Sequence, residues 1–455
     1  MDEAHLQSHH YVPRWYQKRF LLPGQNVLCY LDLKPETIID GNIRYTKKDL
    51  WYWHPSRCFC IDDLYSMRFG RMTTDMLERH LFGAVDRNGA TATEVFGAYD
   101  DFKEEINEAF RSMLVYVGAQ RFRTPRGLDW IKRWAGVTDQ TATLMAMSSL
   151  FQAYDTMWAE GIWEIAHARK SVTKFIISDD PVTFFNRRIF PAEAAYPGGE
   201  DFPKIGTRTI FALSMDCCLI ITHLQLVRNP WLNPLEPREN ARNFGDTMFN
   251  LTDIQFGREL EEEDVLRINH ILKSRATKFI AAGDKEWLYP ERNLDGAEWA
   301  KLDNDWFLLP NLWKVGFTTG IIAGYKDGSS FVMDEYGRNR RHPRHDDRKR
   351  QNEEFRTLEN AKREWAKKRI GKSLAQVIDQ MRENTVADKM MGDYLREQGL
   401  LAPDIASPLL NTHELLLHLS PSSRLWHSAG AREFATSASI RFSTFHAIKR
   451  YGRQR

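Results

Sequence analysis

The chain has 455 residues, long for one domain, and its 42% hydrophobic and 12% aromatic content is enough for a real core. A net charge of +2 excludes a molecule that attracts polyanions over its whole surface, so any nucleic-acid surface must be a local patch. Without an apolar run long enough to cross a bilayer, no membrane is expected among its partners.

The opening residues are acidic and polar, without the apolar stretch of a signal peptide. The five cysteines, Cys29, Cys58, Cys60, Cys217 and Cys218, are odd in number and scattered, which does not suit a disulfide framework. Cys58 and Cys60 lack a second pair at zinc-ligand spacing. A cytoplasmic, reduced protein is the expectation.

The segment from Ser8-His9-His10-Tyr11-Val12-Pro13 through Trp15-Tyr16 to Phe20 is too aromatic to be solvated and should pack against the rest of the domain. Val27 to Leu33 reads as a strand. From Thr73 the pattern turns helical, with Thr73 or Thr74 as cap. Phe102, Ile106, Phe110, Met113, Leu114 and Val117 repeat at three and four and predict an amphipathic helix. Thr124 caps the next helix, with Pro125 in its first turn. A further helical stretch is expected over 140–167. Thr173 to Ile177 reads as a strand, and Thr209 to Ser214 with Cys217 to Thr222 as a hairpin. Helices are predicted at 237–249 and 262–273, and a last strand at 278–282. Helices followed by a small mixed or antiparallel sheet make an α+β domain. That domain is placed at 1–285. The remainder, 286–455, is expected to be a mainly helical appendage. Its elements are a hairpin turning at Asp327-Gly328, a basic cluster, and helices near 353–369, 374–383 and 388–397.

Four motifs in this order resemble the DUF4238 family over roughly residues 8–285. They are His10-Tyr11-Val12-Pro13 with Phe20, Gln120-x-x-Arg123-Thr124-Pro125, Phe175-Ile-Ile-Ser178-Asp179-x-Pro181-Val182, and Ile268-Asn269 leading into Phe279-Ile280. The family often has Asn where this chain has Asp180. The resemblance implies a bacterial setting, in part beside phage-defence genes, and carries no settled activity.

His10 holds the family position. As an imidazole it suits a metal ligand or general acid/base, or else a buried ring that hydrogen-bonds a carbonyl and pins the segment. Asp179 follows a predicted strand, where a carboxylate could bind a metal or orient His10. Ser178, Asp180 and Pro181 are equally turn formers. Glu78 is the acidic partner best placed in the N-terminal half. Gln120 and Arg123 share a helix face at i, i+3; Arg123 could clamp a phosphate or pair internally with Asp179. Nine bases and imidazoles lie within 338–350, among them Arg340, Arg341 and Arg344. No P-loop, dinucleotide, serine-elbow or zincin motif occurs.

Two readings follow. In the first, the protein is a metal-assisted phosphodiester hydrolase, nuclease-like. His10, Glu78 and Asp179 are catalytic, His10 and Asp179 hold a divalent Mg or Mn, and Gln120, Arg123 and Ser178 bind substrate. Arg340, Arg341 and Arg344 add affinity for nucleic acid. In the second, the same motifs are a structural polar network within a non-catalytic binding or sensor module.

Overall fold

A computed structural model of the chain describes residues 8–373 and 376, apart from 41–42, 100–104, 191–201, 246–253, 304–305, 317–320, 325–327 and 346. It divides into two compact units, residues 1–311 and 312–455.

The first unit opens with β1 (Ser8–His10), α1 (Arg14–Lys18), β2 (Leu28–Asp32), β3 (Thr37–Asp40), β4 (Ile43–Thr46) and β5 (Leu50–Trp53). Next come β6 (Cys60–Asp62), β7 (Met67–Phe69), β8 (Met72–Thr74) and a π-helical segment, Leu77–Phe82, that runs into α2 (Gly83–Gly97). A helical run follows: α3 (Ile106–Phe122), α4 (Pro125–Ala135), α5 (Gln140–Leu150) and α6 (Asp155–Ala159). The rest is β9 (Gly161–His167), β10 (Ile177–Ser178), β11 (Thr183–Phe185), β12 (Arg208–Ser214), β13 (Cys217–His223), α7 (Leu224–Arg228), β14 (Ile254–Glu259), α8 (Glu262–Arg275), β15 (Phe279–Ala282) and α9 (Gly296–Ala300).

Two sheets carry the unit. One is five-stranded, in the order β11-β12-β13-β9-β14, antiparallel except that β14 runs parallel to β9. The other is antiparallel, in the order β10-β15-β2-β5. The architecture is α+β, as the pattern implied. In the five-stranded sheet β9 and β13 are buried along their whole length, as strands covered on both faces must be. The core runs from these strands to α3, whose Ile106, Phe110, Met113, Leu114 and Val117 are buried at the predicted spacing. Helix α3 approaches the chain so closely that a Cβ on Gly118 would meet the carbonyl oxygen of Phe151 at 1.9 Å. Thr124 caps α4 as expected, its hydroxyl accepting from the Gly127 amide at 3.1 Å, and Gly136 closes that helix at φ +64°.

Three elements depart from the sequence reading. The helix expected over 140–167 ends early, and its last quarter is β9, the strand between β13 and β14. Ile162, Trp163 and Ile165 suit a pleated surface, and burial on both faces erases the alternation that would have distinguished strand from helix. The helix expected to begin at Thr73 starts only at Leu77, because Met72–Thr74 pairs with Met67–Phe69 as a hairpin. Over 237–245 the chain is irregular, with Asn240 and Phe244 at positive φ. There the buried guanidinium of Arg238 donates to the carbonyls of Met157 and Thr207 at 3.3 and 3.1 Å, which ties the segment to α6 and the entry of β12 in place of a helix; 246–249 lie outside the described residues.

The boundary also differs. Beyond residue 285, Trp287, Leu288, Leu302, Phe307 and Leu308 still belong to the core of the first unit. Lys273 donates to the Leu288 carbonyl at 2.8 Å, and Gln255 and Asn311 exchange hydrogen bonds of 2.8 and 3.2 Å.

The second unit holds a hairpin of β16 (Ile321–Gly324) and β17 (Ser330–Met333), turning through Gly328 at φ +82°. A charged helix follows, α10 (Arg348–Trp365), extended by a π-helical turn at Ala366–Ile370. The helices expected near 374–383 and 388–397 lie outside the described residues, Gln376 excepted. Among the described residues no helix is long and apolar enough to cross a membrane.

Candidate functional site

The opening segment is the organising strap of the first unit. β1 pairs with β6, and Tyr11, Val12, Tyr16 and Phe20 are buried. The Tyr16 hydroxyl donates to the Ala212 carbonyl at 2.5 Å and Arg19 Nε to that of Leu213 at 2.7 Å, which fastens the strap to β12. Gln17 donates to the carbonyls of Val12 and Cys58, and Gln120 to that of Tyr11 at 2.8 Å.

The strand alternation sends the two neighbouring histidines to different surroundings. His10 is half-buried, with Nε2 3.2 Å from the Ser56 carbonyl oxygen. A carbonyl only accepts, so that nitrogen carries the proton. Burial holds the His10 pKa below the ordinary histidine value, Arg14 and His9 add to this, and the Ser56 contact opposes it. His9 is fully buried. Its Nδ1 accepts from the Tyr65 amide at 2.9 Å, and its Nε2 faces Asp75 Oδ1 at 3.7 Å. Ser66 in turn donates to that Asp75 oxygen at 2.9 Å.

Asp179 sits past the end of β10 and accepts from three consecutive amides. Thr277 donates to Oδ1 at 2.8 Å, and Lys278 and Phe279 donate to Oδ2 at 2.7 and 2.9 Å. Burial pushes its carboxyl up to about 6, against those three amides, which favour the charged form. The carboxylate thus joins β10 to the entry of β15. His10 and Asp179 each hydrogen-bond other groups, so the expected orientation of His10 by Asp179 is not what the structure contains. Nor does Asp179 pair with Arg123. Its neighbour Asp180 is the ion-pair partner here, held by Arg121 at 2.7 Å and approached by Arg126 at 3.5 Å, with all three side chains buried. Ser178, also buried, accepts from the Asp180 amide at 3.3 Å as a turn residue does.

Gln120 and Arg123 do share a helix face. Arg123 donates from Nε to Gln120 Oε1 at 2.9 Å and from Nη1 to Asp86 Oδ1 at 2.8 Å, and it lies over the ring of Phe82. Its side chain is 1% exposed, so it meets Asp86 rather than solvent. Glu78, on the π-helical segment, belongs to this same group. Burial pushes its carboxyl up to about 7, with Asp86 and Asp75 adding to the rise and Arg123 opposing it. Its Oε2 is buried without a hydrogen-bond partner, and so is the hydroxyl of Tyr116.

The structure therefore divides the predicted site in two. Glu78, Gln120 and Arg123 come together around Asp86 and Tyr116; His10, Ser178 and Asp179 serve the strap and the strand ends. Asp86, Tyr116 and His9 were not singled out by sequence reasoning. Asp86 lies two helical turns beyond Glu78, a spacing that puts both on one face of a continuous helix and could have raised it. Among the described residues no group of three or more His, Cys, Asp or Glu stands together to hold a metal ion. All five cysteines are free thiols, with burial pushing Cys58 and Cys217 up to about 12, far from reactive thiolates.

Compared with known protein families, curated proteins and solved structures, the chain matches none.

Proposed function

We propose that the first unit is a non-catalytic binding or sensor module, and that its His10, Gln120, Arg123, Ser178 and Asp179 motifs form a structural polar network. The observation that carries this reading is Asp179, whose two oxygens accept three amides and so have little capacity left for a metal or an imidazole. His10 bonded to a carbonyl and Arg123 bonded to Gln120 and Asp86 agree with it. The test is the metal content of the purified, dialysed full chain together with melting temperatures. No stoichiometric divalent ion is expected, and Asp179→Asn should lower the melting temperature. About one divalent ion per chain, lost in His10→Ala, would overturn the reading.

One observation favours a second reading, the phosphodiester hydrolase. Glu78, with its carboxyl near 7 and an unpartnered oxygen, has the properties of a general acid or base. In this reading the carboxylates of Glu78 and Asp86, in place of His10 and Asp179, would be the groups to meet Mg or Mn, with Asp86 held by Arg123. Labelled RNA and DNA with Mn are the substrates to try. Glu78→Gln should lower any cleavage by about 100-fold or more while the fold persists. Absence of cleavage in wild type, or cleavage indifferent to the substitution, removes this reading.

A further inference from the structure

In the second unit the chain between β17 and α10 is a sequence of tight turns. Asp334 accepts from the amides of Tyr336 at 3.0 Å and Arg338 at 2.8 Å, and its other oxygen pairs with the Arg338 guanidinium. Asn339 then accepts from the Arg341 amide at 3.0 Å, its carbonyl from His342 at 2.9 Å, and the carbonyl of His342 from His345 at 3.0 Å. Asp347 ends the run as the cap of α10, accepting from the Arg350 amide at 3.2 Å. The backbone over 334–345 is thus set by its own hydrogen bonds.

The charges it presents fall into two kinds. Arg338 is buried against Asp334, with Glu354 3.8 Å away, and serves the turn itself. Arg340, Arg341, Arg348 and Lys349 are exposed, and with Arg350 they form no ion pair among the described residues. Three of these five bases occupy the first turn of an 18-residue helix, which has no acidic residue there. That is the positive end of the helix dipole, where cations are disfavoured and anions bind. With no close ion pair among the described residues, these exposed bases are open to an external anion.

We infer that the turn before α10 and the first turn of α10 form a surface for the phosphate backbone of a nucleic acid, with Arg340, Arg341, Arg348, Lys349 and Arg350 as its contacts. Nucleic acid is favoured over an anionic membrane because, Pro343 apart, the exposed described residues of 339–350 are Asn339, Arg340, Arg341, Arg348 and Lys349, with no large apolar side chain to anchor the stretch in lipid. The inference stands on the second unit alone and holds under either reading of the first.

The experiment uses the full chain with labelled single- and double-stranded RNA and DNA, measuring retention between 50 and 200 mM salt. Five phosphate contacts predict a loss of affinity of about 500-fold over that range, since each contact releases counterions. Arg340→Glu with Arg341→Glu should weaken binding at 50 mM by at least tenfold. The milder Arg348→Gln with Lys349→Gln should reduce the salt slope by about two, with an unchanged melting temperature proving the fold intact. No retention at 50 mM, a slope indifferent to both double variants, or tighter binding to phosphatidylserine vesicles than to any nucleic acid would overturn the proposal.

Discussion

Asp179 and Glu78 are both carboxyls raised by burial, yet their surroundings predict opposite responses to substitution. Asp179 is 4% exposed and holds three amides, so Asp179→Ala orphans those donors and should cost about 2–4 kcal/mol, read as a fall in denaturation midpoint. Glu78 has an oxygen with no partner, so neutralising it removes a penalty. A carboxyl whose folded pKa exceeds its unfolded value keeps its proton longer in the folded chain. From about 4.3, the unfolded value, up to about 7 the folded state holds more protons, and stability therefore falls as pH rises through that window. Glu78→Gln should match wild type near pH 4 and melt at a higher temperature near pH 8. Comparing the two proteins isolates Glu78, because every other ionisable group is common to both. Equal melting temperatures at pH 8 would mean that Glu78 ionises freely. The residue scale is also where the sequence was least legible. His10 and His9 are adjacent, and only the pairing of β1 with β6 decides that His9 is the buried one.

Among the elements, the helices were legible where one face is polar, and the buried strand β9 was not. α3 and α8 carry their apolar spacing openly, and the acidic first turn of α8 appears where expected, with Glu262 accepting the amides of Val172 and Thr173 at 2.7 and 3.0 Å. β9 is covered on both sides, so it has no periodicity to display. The 237–245 segment owes its path to a buried arginine, and no local pattern announces a tertiary hydrogen bond. The same burial makes α3 intolerant of small changes. Gly118 lies against the backbone of Phe151, which cannot swing aside as a side chain tip would. Gly118→Ala should therefore destabilise by about 1–3 kcal/mol despite its better helix propensity, measured by urea unfolding. A neutral or stabilising result would show that α3 can shift along its axis.

For the molecule as a whole, the boundary expected at residue 285 lies just past β15 but short of the end of the packed unit. Residues 286–311 add Trp287, Leu288, Phe307 and Leu308 to the core. A fragment 1–311 should fold cooperatively. A fragment 1–285 should aggregate or melt well below it, because it exposes the surface those side chains cover. Comparable melting of the two fragments would restore the earlier boundary. The sequence misled here because the added segment lacks long regular elements, and its contribution is apolar contact rather than pattern.

The strap's fastening to β12 has a consequence for synthesis. Tyr16 and Arg19 leave the ribosome early, but the carbonyls they bind belong to Ala212 and Leu213, 196 and 194 residues later in the chain. At ordinary elongation rates the aromatic strap waits roughly 10–40 s for its docking strand. Throughout that interval an apolar, aromatic stretch is solvent-facing on a nascent chain, as a holdase chaperone would meet it. Stalled nascent chains ending before residue 208 should be cut by protease within the strap, and chains long enough to free β13 from the exit tunnel should resist.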